Sequence, residues 1–306
     1  NLGFAALQMT VDQSIWLIPG YERTMTGAMG GLFNQPDHFA IFLAALVPMW
    51  LALGIQGRDT RPVRFFWRSL AAISVLFLAI SGSTAGWITL GAGLLCYLVL
   101  TAHLVWPRLK IRVRRTAVTA LVLVFGCLMV VFAGAGGAIS GRLGHGLFGG
   151  SETGGLSALH KVGVRQALES PIVGTGSRSS QIYGRLFRSD GLGTGATEPE
   201  FVHNEFIQML GDYGAVGLFL VLALLAVHMA SGIRFLKSFR RISPAKGGLI
   251  PRSIHLALAT GAVAVLAVLG VAACFDFIFH LPVIAVLAVV MLAILAVPDT
   301  MARATQ

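Results

Sequence analysis

Charge is scarce in this 306-residue chain: Asp, Glu, Lys and Arg make up 12% of it, against 56% hydrophobic residues. A soluble domain carries about a quarter charged residues, so a soluble fold is excluded. Acidic residues are scarcest, 13 against 23 Lys and Arg, which leaves a net charge of +10. Three cysteines, Cys96, Cys127 and Cys274, lie within or beside apolar runs. They are too few and too scattered for a disulfide framework or a metal cluster, and read as small buried residues. A Walker loop, a serine nucleophile elbow and a DxD carboxylate pair are all missing. No HxxH or HExxH spacing occurs, so a metal site built from Asp37, His38, His203, Asp276 and His280 is not expected.

What the chain does have is apolar runs near the roughly 20 residues that cross a bilayer. These are Phe39–Gln56, Phe65–Ser81, Ala85–Val105, Thr116–Ile139, Ala215–Ile233, Ile254–Ala273 and Val283–Val297. The pattern predicts an all-α, polytopic membrane protein with about seven transmembrane helices, forming a single domain over residues 1–306. The start at Asn1, on an outside segment, suggests that upstream spans are missing. Basic residues fall in three short loops: Arg58 to Arg68, Arg108 to Arg115, and Arg234 to Arg252. The spans place all three on one side, which marks that side as cytoplasmic and argues for anionic lipid, not nucleic acid, as their partner.

That orientation puts the long segment 140–212 outside, as a periplasmic loop with amphipathic helices. It opens Gly-rich, continues as a helical stretch Leu156–Glu169, breaks at Ser170-Pro171 and turns at Gly174-Thr175-Gly176-Ser177. A helix beginning near Val202 then runs from His203-Asn204 straight into the apolar block at Ala215, with His203, Ile207 and Leu210 on one face. A histidine in a first helical turn feels the positive dipole end, which favours neutral imidazole and suits a base. The outside arginines, Arg23, Arg142, Arg165, Arg178, Arg185 and Arg188, are not explained by topology, and guanidinium forks suit diphosphate. Arg178 and Arg23 are the best placed, with Arg142 third. At Asn34-Gln35-Pro36-Asp37-His38, Asn34 can cap a helix, Pro36 suits its first turn and Asp37 its dipole. Gln35 and His38 are left over as candidate substrate contacts, as is Asn204. Asp276 and His280, four apart, could pair on one helical face.

Four segments, in order, resemble the superfamily of O-antigen ligases and O-antigen polymerases of the bacterial envelope. Gly31 to Ala40 is similar to its Gly-Thr-Phe-x-Asn-Pro-Asn-His-x-Ala segment, and Pro171 to Gly176 to its Pro-x-x-Gly-x-Gly turn. His203 to Gly217 resembles His-Asn-x-x-Leu-Gln-x-x-x-Glu-x-Gly-x-x-Gly, and Phe275 to Pro282 resembles the Asp-Phe-x-x-His-x-Pro closing motif of one branch. The resemblance implies a multi-pass enzyme of the bacterial inner membrane with its active site facing the periplasm. It would move a glycan from an undecaprenyl diphosphate carrier to a hydroxyl on a glycan, lipid A-core or protein acceptor. The family's essential histidine falls on His203, its arginines are held to grip the diphosphate, and no metal, nucleotide sugar or other cofactor is implied. Two departures stand out. Thr84 occupies a position where the family often has arginine, and Arg23 lies several residues ahead of the usual arginine before the first motif. A rival reading from another class is a membrane transporter or lipid-handling protein without chemistry. Against an ion-coupled carrier, the only ionisable residues near span interiors are His103, His228 and His255, each toward a cytoplasmic end.

Overall fold

A computed structural model describes residues 32–33, 35–105, 153–187, 201–242 and 252–304. The run Thr116–Ile139 lies outside these, as do Arg23, Asn34, Arg142, Arg188 and Cys127. Every described element is helical. Helix α1 (Pro36–Gln56) opens on Pro36, whose missing N–H costs nothing in a first turn. Helix α2 (Arg61–Ser81) ends at Gly82, where φ of 70° closes the helix with the left-handed conformation glycine tolerates. Helix α3 (Thr84–Val105) follows that turn at once. Helices α4 (Thr153–Glu169) and α5 (Ser180–Phe187) precede the next long helix, and α4 stops before Pro171 as its sequence requires. Helix α6 (Glu205–Ile242) and helix α7 (Ile254–Ala272) follow; α7 is capped by the Ser253 hydroxyl, which accepts from the Leu256 N–H. A short 3₁₀ turn at Ile278–His280 leads into α8 (Pro282–Ala304).

Five of these are long and apolar enough to cross a membrane: α1, α2, α3, residues Glu205–Ser238 of α6, and α7. In α8 the apolar stretch Pro282–Ala296 is shorter. The chain is a multi-pass membrane protein: among the described residues five such spans are found, while of the other two expected runs Thr116–Ile139 lies outside the described residues and Val283–Val297 falls on the shorter stretch of α8. Helices α1 and α7 form the centre: α1 packs on α2, α3 and α7, and α7 also meets α3, α6 and α8. Apolar burial gains little over lipid, so close packing must hold the centre together. A Cβ on Gly93 would fall 2.3 Å from a Val268 methyl, and one on Gly261 would fall 2.7 Å from the Met49 sulfur. The small residue is what lets each pair of helices meet. Helices α2 and α6 instead expose Phe65, Phe66, Leu76, Phe219 and Leu220, the surface expected against lipid.

The hydrogen bonds between chain segments sort the helix ends into two sets. The Ser253 N–H donates to Gln56 O (2.8 Å), joining the start of α7 to the end of α1. The Glu205 N–H donates to Ala273 O (2.9 Å), joining the start of α6 to the end of α7. The Ser83 hydroxyl donates to Asp37, joining the α2–α3 turn to the start of α1. Asp37 lies in the first turn of α1, as expected for the helix dipole, and it also accepts this hydroxyl. One end of the bundle therefore carries Arg58, Arg61, Arg64, Arg68, Arg234, Lys237 and Arg252. The other carries His38, His203, Glu205 and Asp276.

Candidate active site

The second end is assembled by Asn204. Its Oδ1 accepts the Phe206 and Ile207 N–H groups (3.1 and 3.0 Å), and its Nδ2 donates to Cys274 O (2.6 Å). The amide thus caps α6 and ties it to the α7–α8 connection. The helix consequently starts at Glu205, not near Val202. His203 is not in a helical turn at all: its φ is 55°, one of two positive values among the described non-glycine residues. Holding a histidine there costs about 1–3 kcal/mol, which the flanking bonds must offset. The face shared with Ile207 and Leu210 does not form.

His203 faces a carboxylate instead. Its Nδ1 lies 3.7 Å from Asp276 Oδ1, and His38 Nε2 lies 3.2 Å from Asp276 Oδ2. The His38–Asp276 contact is close but falls short of a well-aligned hydrogen bond. The Phe277 ring takes both imidazoles edge-on, at centroid distances of 5.1 Å for His38 and 4.7 Å for His203, and Phe201 stacks on it at 4.7 Å. Burial favours the neutral acid at Asp276. The facing His203 and His38 rings and the Phe277 N–H outweigh that burial and hold the group below the usual carboxylate range. The two histidines differ in access: the His203 side chain is 31% exposed and that of His38 is 4% exposed. Asp276 and His280 do not pair as expected, because the connection turns between them. His280 Nδ1 lies 3.3 Å from Glu205, whose carboxylate also accepts the Phe279 N–H.

A second cluster lies further along α6, where Gly214 (φ 65°, ψ −169°) interrupts the helix that was expected to run on unbroken. A break strands carbonyls before it and N–H groups after it, and neither can be left unpaired at a membrane edge. The 171–176 segment supplies all four partners. Gly211 O and Asp212 O accept from the Thr175 and Gly176 N–H groups (2.9 and 3.0 Å). The Ala215 and Val216 N–H groups donate to Pro171 O and Ile172 O (2.8 and 3.1 Å). The Asp212 side chain, 2% exposed, then collects Gln208 Nε2 (2.9 Å), Gln166 Nε2 (3.1 Å) and the Arg178 N–H (3.2 Å). Arg178 sits at the tip of that turn, exposed, with φ of 59°.

The O-antigen ligase family model matches residues 69–222, half of the chain, a span that includes the Pro171–Gly176 turn, Arg178 and the His203–Gly217 stretch. The chain belongs to the O-antigen ligase family. No curated protein matches it. Membership makes it a glycosyltransferase-like membrane enzyme handling a lipid-linked glycan donor and an acceptor.

Within this O-antigen ligase family member, the structure draws His203 and His38 together around one carboxylate and sets Arg178 on a turn bound to α6, the helix that follows His203. Gln35 is half-buried at the cap position of α1 and makes no side-chain cap bond. Thr84 follows Ser83, whose hydroxyl bonds Asp37 at the end of the bundle that holds His203. Cys274, expected to be buried, is exposed. Asp276, Glu205 and Asp212 carry most of the site's organisation; sequence reasoning passed over Glu205 and Asp212 and gave Asp276 only a pairing with His280. The usable signal was their scarcity: of 13 acidic residues in the chain, four (Asp37, Glu205, Asp212 and Asp276) fall inside the segments that resemble family motifs.

Proposed function

We propose that the protein transfers a glycan from undecaprenyl diphosphate to an acceptor hydroxyl at the periplasmic face of the bacterial inner membrane, without a metal. The observation that carries this reading is the His203–Asp276 arrangement. With Nδ1 turned to a buried carboxylate, His203 presents Nε2 outward, the orientation a general base needs. Its 3.7 Å separation is loose, as such contacts often are before substrate binds. His203 Nε2 takes the proton of the acceptor hydroxyl as that oxygen bonds to the anomeric carbon. The bond from that carbon to the diphosphate oxygen breaks, and undecaprenyl diphosphate leaves with the electron pair. Arg178, with Arg23 and Arg142, holds the charge that develops on the leaving group.

The remaining sequence candidates take supporting parts. His38 backs Asp276 from its buried side, and Asn204 spends its amide holding His203 in place. Gln35 borders the same helix start and remains a substrate contact in this scheme. The choice of acceptor, lipid A-core, glycan or protein, is assigned to the shape of the 140–212 segment. The basic end of the bundle favours this orientation, since short Lys- and Arg-rich connections face the cytoplasm. The deciding experiment is glycan transfer in proteoliposomes with a polyprenyl-diphosphate-linked glycan. His203→Ala should lower the rate by at least about a thousandfold while membrane accumulation stays at the wild-type level. Transfer within tenfold of wild type would remove His203 from the role of base.

A further inference from the structure

Arg178 and His203 share a property that no other described non-glycine residue has: a left-handed backbone, at φ 59° and 55°. They are 25 positions apart and belong to different segments, yet one pair of side chains reaches both. Asp212 Oδ2 accepts the Arg178 N–H (3.2 Å) and also Gln208 Nε2 (2.9 Å). Gln208 Oε1 in turn accepts the N–H of Val202 (3.0 Å), the residue before His203. Gln208 and Asp212 are one helical turn apart on α6, both 2% exposed, so their spacing is set by a rigid element.

The surroundings make this link stiff. Gln166 Nε2 approaches Thr175 Oγ1 (2.9 Å), Ser179 Oγ (3.0 Å) and Asp212 Oδ1 (3.1 Å). The second Gln208 N–H goes to the Ser180 hydroxyl. Gly174 and Gly214 close the joint: a Cβ on either would fall 2.3 Å from a carbonyl oxygen of the opposite segment. A buried carboxylate satisfied by this many neutral donors loses several partners at once if removed, and strained backbones persist only when their neighbours over-determine them.

We infer that Asp212 and Gln208 are positioning residues that set Arg178 and His203 in a fixed relation, Asp212 through the Arg178 turn and Gln208 through the Val202 N–H. The inference rests on the proposed roles of Arg178 and His203, and it separates the two kinetically. Asp212→Ala should act as a donor-site lesion, raising the donor KM about ten- to a hundredfold with the acceptor KM unchanged. Gln208→Ala should lower kcat by about tenfold or more with little change in donor KM.

The test measures both constants in proteoliposomes, together with binding of polyprenyl diphosphate alone. The variants are Asp212→Ala, Asp212→Glu, Gln208→Ala, Arg178→Ala and the Arg178→Ala/Asp212→Ala pair. Diphosphate binding should weaken in both single variants at Arg178 and Asp212, and the pair should be within about twofold of Arg178→Ala. Asp212→Glu should recover part of the loss. Penalties that multiply in the pair, or wild-type donor binding in Asp212→Ala, would overturn the inference. Where Asp212→Ala fails to accumulate, Gln208→Ala carries the test, and wild-type kcat there is the contrary result. Binding does not depend on transfer, so a wild-type protein that binds diphosphate cooperatively through these two residues but transfers nothing would sink the proposed reaction and leave the positioning intact.

Discussion

At one end of the bundle Arg58, Arg61, Arg68 and Arg252 stand exposed; at the other His38, Glu205, Asp212 and Asp276 are each buried against a partner from another segment. Exposed cations in water or headgroups need no fixed partner and gain little from one. Buried carboxylates in a low-dielectric setting lose several kcal/mol unless their charge is met, so each demands a specific geometry. The first arrangement tolerates substitution and sets orientation. The second is costly to build, and the strained backbone of His203 adds to that cost. Among the described residues that expense falls at one end only, which is why the proposed chemistry is assigned to it.

The sharpest way to break the comparison is Asp276→Asn, which keeps shape and removes the charge facing both histidines. It should cut transfer by roughly 10²–10⁴-fold, because an amide cannot hold His203 in the base orientation. The same variant has a stability signature. The folded-state pKa of Asp276 is lowered from 3.8, so its stabilising contribution is complete above that value and is lost as pH falls through the lower folded value. Acid titration of unfolding should show that loss in wild type and not in Asp276→Asn. A far smaller effect is expected at the other end. Arg61→Ala and Arg252→Ala should each leave transfer within about twofold of wild type. In a background lacking the native cysteines, Val173→Cys should label with a membrane-impermeant thiol reagent in spheroplasts, and Ser238→Cys should not. The reverse labelling would invert the topology and put His203 in the cytoplasm.

Much of the bundle was legible because hydropathy and helix length are local properties. The expected run Phe39–Gln56 became Pro36–Gln56, Phe65–Ser81 became Arg61–Ser81, and Ile254–Ala273 became Ile254–Ala272. Ser170-Pro171 ended its helix for the reason a proline dictates. The site was only half legible, because its decisive contacts join residues distant in the chain: His38 and Asp276 are brought together by packing of α1 on α7, which no spacing rule encodes. Two errors have one cause. Reading His203 into a helix and running that helix through Gly214 both assumed that an apolar, helix-compatible pattern continues until something stops it. Asn204 starts the helix later by capping it, and Gly214 breaks it because the Pro171–Gly176 segment offers better partners than the helix itself.

The central claim is that His203 and Asp276 act as one unit, and a double-substitution cycle on transfer rate tests it most directly. Rates would be taken for wild type, His203→Ala, Asp276→Asn and the pair, at matched protein levels in proteoliposomes. If Asp276 works through His203, adding Asp276→Asn to His203→Ala should change the residual rate by no more than about twofold. If the two losses multiply, the carboxylate serves some other part of the reaction and the base-and-orienter account is wrong.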